Sequence, residues 1–104
     1  MGVLRIVRMD FKASEVENFD EMFIAIQPQI EDMPGCKRVM LLKSKSSPEL
    51  RTTLSLWSEE EDLNNYRKSE LFGVIWPKTK AKFNNEPIAW SVDWEVSGEL
   101  TLGV

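Results

Sequence analysis

A chain of 104 residues, 42% hydrophobic and 29% charged, has the length and composition of one folded domain, residues 1–104, and excludes a second core, a disordered chain and a collagen-like one. Its net charge of −4, with 13 basic residues scattered among 17 acidic ones, excludes a phosphate-tracking surface, so no nucleic-acid partner is expected. With no histidine and the single cysteine Cys36, the chain also excludes imidazole bases, His-based metal sites, Ser-His and Cys-His nucleophile pairs and an internal disulfide.

No stretch approaches the roughly 18 apolar residues that span a membrane. Met1 to Arg5 leads directly into an alternating segment, without the apolar stretch and small-residue cleavage site of a signal peptide. A cytoplasmic location with no membrane partner is the expectation.

From Val3 to Phe11 the residues alternate, with Val3, Arg5, Val7, Met9 and Phe11 on one side and Leu4, Ile6, Arg8 and Asp10 on the other. This predicts a strand with one mostly apolar face. Ser14-Glu15-Val16-Glu17 has the S-x-x-E form of a capping box, which predicts a helix start. The spacing of Val16, Phe19, Phe23, Ile26 and Ile30 carries that helix to about Glu31. Pro28 is expected to kink it. After the Met33-Pro34-Gly35 turn, residues 36–45 predict a second strand, Ser44 to Glu49 a hairpin connection, and Leu50 to Trp57 a third strand antiparallel to the second.

Ser58-Glu59-Glu60-Glu61 is a second capping box, predicting a short helix over about 59–67. Ser69 is placed to cap another over about 69–83, which Pro77 is expected to bend or interrupt. Over 88–96, Ile88, Trp90, Val92, Trp94 and Val96 alternate with Ala89, Ser91, Asp93 and Glu95, which predicts a final strand with one strongly apolar face. The core thus spans about 3–96. In the tail, 97–104, Leu100 to Leu102 suggest an edge strand or a segment reaching a partner.

The order βαββαβ predicts an α+β, ferredoxin-like domain, a four-stranded antiparallel sheet with helices on one face. The other face would be a large apolar patch, so a homodimer with sheet facing sheet, a dimeric α/β barrel, is expected.

The stretch from Leu54 to Phe72 carries Trp57, Glu61, Leu63, Tyr66, Ser69 and Phe72 at the spacing W-x-s-x-e-x-l-x-x-[YW]-x-x-S-x-x-F. In this it resembles antibiotic biosynthesis monooxygenase (ABM) domains, and Met33-Pro34-Gly35 is similar to that family's PG turn. The resemblance, over roughly 3–96, implies a hydrophobic, aromatic small-molecule partner and a cofactor-independent monooxygenase, with a non-catalytic binding or stress-related dimer as the alternative. The haem-degrading branch would have its Asn, Trp and axial His at Val7, Tyr66 and Trp76. None of the three is kept, and no residue of the chain replaces the histidine.

In the cofactor-independent branch, the resemblance implies a phenol or quinol lying between helices and sheet, with its own anion activating oxygen and no metal or cofactor needed. Trp57, Phe72, Trp76 and Trp90 are the expected substrate-binding walls. Tyr66, Arg8 and Asp10 are the expected catalytic groups: a hydrogen-bond donor, a guanidinium steadying an enolate, and a carboxylate accepting a proton. The bland reading stands beside this one, since such aromatic stripes also fill cores and interfaces, and Arg8 with Asp10 also suits a strand-edge ion pair. An isomerase or lyase would instead need a buried carboxylate, from Asp10 or Asp93. Glu59 to Asp62 read as first-turn charges favoured by the helix dipole, and Lys78 and Lys80 as a solvated helix face.

Overall fold

The alternation along the first strand sorts its side chains between two environments. In the computed structural model, which describes residues 2–94, β1 (Gly2–Phe11) buries Val3, Met9 and Phe11 beneath the helices. The chain continues through α1 (Val16–Glu31), β2 (Cys36–Lys43), β3 (Leu50–Trp57), α2 (Glu60–Arg67), α3 (Glu70–Lys80) and β4 (Phe83–Trp94). Every strand pairing is antiparallel, in the order β2-β3-β1-β4, giving the expected ferredoxin-like α+β sheet with its second helical unit split in two. Val96 and the tail residues Leu100 to Leu102 lie outside the described residues.

The registers Val3↔Trp57, Arg5↔Ser55 and Val7↔Thr53, with Arg5↔Ser91 and Val7↔Ala89 on the other side, define the face that meets the helices. Onto it α1 lays Val16, Phe19, Phe23 and Ile30, while α2 adds Leu63 and α3 adds Ile75. Phe11 and Phe19 stack with centroids 4.3 Å apart, which joins sheet to helix at the centre of this core. Asp20 of α1 takes a bidentate pair of bonds from Arg51 of β3, at 2.8 and 2.9 Å. Gln27 donates to the Val39 carbonyl at 2.8 Å and Glu31 accepts from the Val39 amide at 3.1 Å, so α1 also satisfies the outer backbone of edge strand β2.

Three local expectations change. Neither Ser14 nor Ser58 caps a helix: the N-caps are Glu15 and Glu59, and neither accepts a side-chain cap bond. The amides of Glu15 and Val16 donate to the Lys12 carbonyl, and the Ser58 amide donates to Gly35 O at 2.8 Å, so backbone turns shape both helix entries. Ser69 does cap α3, accepting from the Phe72 amide at 3.2 Å and donating to the Tyr66 carbonyl at 2.6 Å. Pro77 does not interrupt α3, and α1 likewise runs through Pro28, each helix continuing although the proline gives up its amide bond to the carbonyl four residues earlier.

The last helix stops at Lys80 and β4 begins at Phe83, five residues before the alternation at 88. Register shifts at Arg8/Asp10 and Asp10/Phe11 place Asn85 opposite Asp10 and Phe83 opposite Phe11. These irregularities break the period-two pattern and hide the start of the strand. Gly35, at φ +79°, lies in the left-handed region, and a Cβ there would run into the Asp62 side chain.

The opposite face of the sheet carries Leu4, Ile6, Leu54 and Leu56 with Ile88, Trp90 and Val92. Among the described residues no helix covers it: Ile88 is 58% exposed, and Trp90 and Val92 are each 42% exposed. Among the described residues no helix is long and apolar enough to cross a membrane.

Candidate functional site

Arg5 and Val7 point to the helical side of the sheet by the same alternation that buries Val3 and Met9. The helices do not fill the space above them, and a cavity of about 240 Å³ remains between sheet and helices. Val7, Met9 and Ala89 form its floor, Phe19 and Phe23 come from α1, and Tyr66, Phe72 and Trp76 come from α2 and α3.

Aromatic rings run around this space in continuous contact. Trp57 stacks on Tyr66 with centroids 5.2 Å apart, Tyr66 meets Phe72 edge-on at 5.2 Å, and Phe72 stacks on Trp76 at 5.7 Å. Trp76 meets Phe83 at 5.8 Å, and Phe83 leads through Phe11 back to Phe19. Ser69 fixes the relation of Tyr66 to Phe72, since its hydroxyl bonds the backbone of both residues.

Polar groups are few. The Tyr66 hydroxyl makes no hydrogen bond within the protein among the described residues. Burial, and secondarily the nearby Cys36 thiol, pushes its pKa up to about 12, so Tyr66 is a neutral donor and not a base near neutral pH. Burial likewise raises Cys36 to about 11 and leaves an unreactive thiol. Arg5 donates to Ser91 Oγ at 3.1 Å, and its pKa is lowered first by burial and then by the charge of Arg67. Arg67, at the C-terminal end of α2, lines the exposed mouth. No carboxylate lines the cavity, and neither arginine has an ion-pair partner among the described residues.

The structure brings together only some of the residues expected from the sequence. Tyr66, Phe72 and Trp76 line one cavity, and Val7, the remaining position of the haem-type alignment, joins them. Trp57 is fully buried behind Tyr66, so it supports the wall without reaching the space. Arg8, Asp10 and Trp90 belong to the opposite face: Arg8 pairs with Ile88, and Trp90 with Ile6. Arg8 and Asp10 border an open polar depression with Lys12 and Glu49, where Asp10 accepts a bond from Asn85 at 2.5 Å. Strand alternation is the reason, because an even offset from Arg8 never reaches the face of Arg5.

Arg5 and Arg67 are the cavity residues that sequence reasoning passed over. Arg5 did leave a signal, as the charged member of an otherwise apolar set that includes Val3, Val7 and Met9. Arg67 left none, because its place at the mouth depends on how α2 crosses the sheet. Among the described residues no cluster of three His, Cys, Asp or Glu side chains is arranged to hold a metal ion.

Residues 2–75 match the family model described as antibiotic biosynthesis monooxygenase. No curated protein matches the chain. Among solved structures, a conserved protein from Methanosarcina mazei Go1 is similar with a TM-score of 0.86 at 18% identity, covering 91% of this chain and 94% of that one. Rv0793 from Mycobacterium tuberculosis is similar with a TM-score of 0.85 at 11% identity, covering 95% and 100%. SnoaB, a cofactor-independent oxygenase from Streptomyces nogalater, has a TM-score of 0.78 at 14% identity, covering 99% and 98%. At these identities the likeness establishes the fold.

Proposed function

The chain belongs to the antibiotic biosynthesis monooxygenase family, and on that premise we propose that it binds a flat aromatic molecule in the cavity and oxygenates it with electrons drawn from the molecule itself. One observation carries this reading: an apolar cavity of about 240 Å³ is walled by Phe72, Trp76 and Tyr66, and the Tyr66 hydroxyl makes no hydrogen bond among the described residues. An apolar cavity of about 150 Å³ already accepts benzene, so the space suits one or two fused rings better than a larger polycycle. The similarity to SnoaB, a cofactor-independent oxygenase, supports the same reaction class.

In this reading, an electron-rich phenolate reduces dioxygen and combines with it at a ring carbon. One oxygen atom remains on the ring and the other leaves as water, so a phenol plus O2 gives a quinone plus water. The protein supplies a dry enclosure, rings to hold the substrate flat, and the Tyr66 O–H as a donor to the developing oxyanion. Trp57 holds Tyr66 in place from behind. Arg8, Asp10 and Trp90 have no part in this chemistry and belong to the opposite face.

The same proposal includes a cytoplasmic homodimer. The apolar set of Ile88, Trp90 and Val92 is too exposed for a solitary chain, and a second copy related by two-fold symmetry covers it with a matching surface.

The test is oxygen uptake by the purified protein with 1-naphthol, together with the appearance of 1,4-naphthoquinone. Tyr66→Phe should lower kcat/KM by roughly tenfold to a hundredfold while the protein stays folded, a loss on the scale of one oxyanion donor. No uptake above buffer would sink the oxygenase reading. A second reading, a non-catalytic binding protein, is favoured by the absence of a proton-accepting carboxylate among the described cavity residues. Saturable naphthol binding without oxygen consumption would establish it.

A further inference from the structure

Arg5 and Arg67 border the same largely apolar cavity, and among the described residues no carboxylate borders it with them. Elsewhere the protein neutralises a comparable group: Arg51 is held by Asp20 at 2.8 Å. Arg5 is partly buried, and its neutral partner Ser91 engages one nitrogen while leaving the charge uncompensated. Asp93 lies on the same face of β4, opposite Val3 and one step beyond the Arg5–Ser91 rung, yet it makes no ion pair with Arg5. Two like charges facing one space repel, and a guanidinium partly removed from water without a counter-charge is unfavourable. An anion entering the cavity relieves both.

We propose that the natural ligand carries a carboxylate on its aromatic frame, gripped by Arg5 at the cavity wall and Arg67 at the mouth. This rests on the reading of the cavity as an aromatic-ligand site and names the class of ligand. A planar carboxylate matches the fork of a guanidinium, which makes two parallel bonds to it. With Arg5 half-buried on the cavity wall and Arg67 exposed, the geometry orders the ligand: its apolar rings lie against Phe72 and Trp76, and its acid group faces the solvent side.

A matched pair of probes separates this proposal from the reading beneath it. 2-Naphthoate and its neutral isostere 2-naphthamide are titrated calorimetrically into the wild type, Arg5→Met, Arg67→Gln and the cavity-filling Ala89→Trp. The wild type should bind naphthoate at least about tenfold tighter than naphthamide, the scale of one charge-assisted hydrogen bond. Arg5→Met and Arg67→Gln should each remove most of that preference, with native circular dichroism certifying that both variants are folded. Ala89→Trp should abolish binding of both probes.

Equal affinities for the two probes in the wild type would overturn the carboxylate while leaving the aromatic site standing. A preference that survives in both arginine variants would overturn these residues as its source. Binding of neither probe, or binding undiminished in Ala89→Trp, would overturn the cavity reading itself, and this proposal with it.

Discussion

The indole N–H of Trp57 donates to Ser55 Oγ at 2.9 Å while the same ring stacks on Tyr66 at 5.2 Å. Trp57 is wholly buried, and the bond satisfies its polar atom. With the ring fixed on β3, the plane of Tyr66 on α2 follows, and with it one wall of the cavity.

Ser55→Ala should therefore leave a buried indole N–H without a partner and destabilise the fold by about 1–3 kcal/mol. Urea denaturation reads this as a lower midpoint with an unchanged slope. Ser55→Thr, which keeps the acceptor, should recover most of the loss. An unaltered midpoint in Ser55→Ala would show that the bond does not hold Trp57.

The Asp20–Arg51 pair predicts a pH dependence. The Arg51 hydrogen bond, joined by its charge and that of Lys43, holds the Asp20 carboxyl below the usual carboxylate range against the opposing effect of burial. A depressed native pKa means the stabilisation is fully present above the unfolded value of about 3.9 and is lost as pH falls through the lower native value. Asp20→Asn should cost about 3 kcal/mol at neutral pH, because it leaves Arg51 buried without its counter-charge. The variant should also lose stability less steeply than the wild type below about pH 4. Parallel acid limbs for the two proteins would remove Asp20 as a source of that dependence.

The exposed face predicts its own disruption. Trp90→Lys combined with Val92→Lys places charges on the exposed apolar sheet surface without touching the helical core. Sedimentation equilibrium should find the wild type dimeric and the double variant monomeric with native circular dichroism. A wild type that sediments as a monomer would exclude the homodimer.

The fold was legible because its evidence is local. The stripe from Val16 to Ile30, the alternation from Ile88 to Val92 and the Ser69 cap each depend on neighbours within a few residues, and each appears where its spacing puts it. The failures are equally physical. Ser14 and Ser58 carry the right pattern for caps, but the carbonyl of Lys12 and the turn at Gly35 had already engaged the backbone there. The start of β4 was hidden because a bulge opposite Asp10 breaks the two-residue rhythm.

The candidate site was legible only in part. Tyr66 and Phe72 were recognisable through the family signature, and Trp76 as one of the aromatic residues that follow it, because their spacing sets helix positions that converge on the sheet. Arg8, Asp10 and Trp90, expected at the site for their chemistry, lie on the other face of the sheet.

By itself the sequence determined the order of elements, the split second helix, the apolar character of both sheet faces and the absence of any imidazole chemistry, since these follow from composition and short-range spacing. Only the tertiary structure decided which face the helices cover, and therefore that Arg5 and Ala89, not Arg8 and Trp90, meet the cavity. Alternation divides a strand into two faces but does not say which one is inside. Where both faces are apolar, that choice is made by helix packing across the whole sheet.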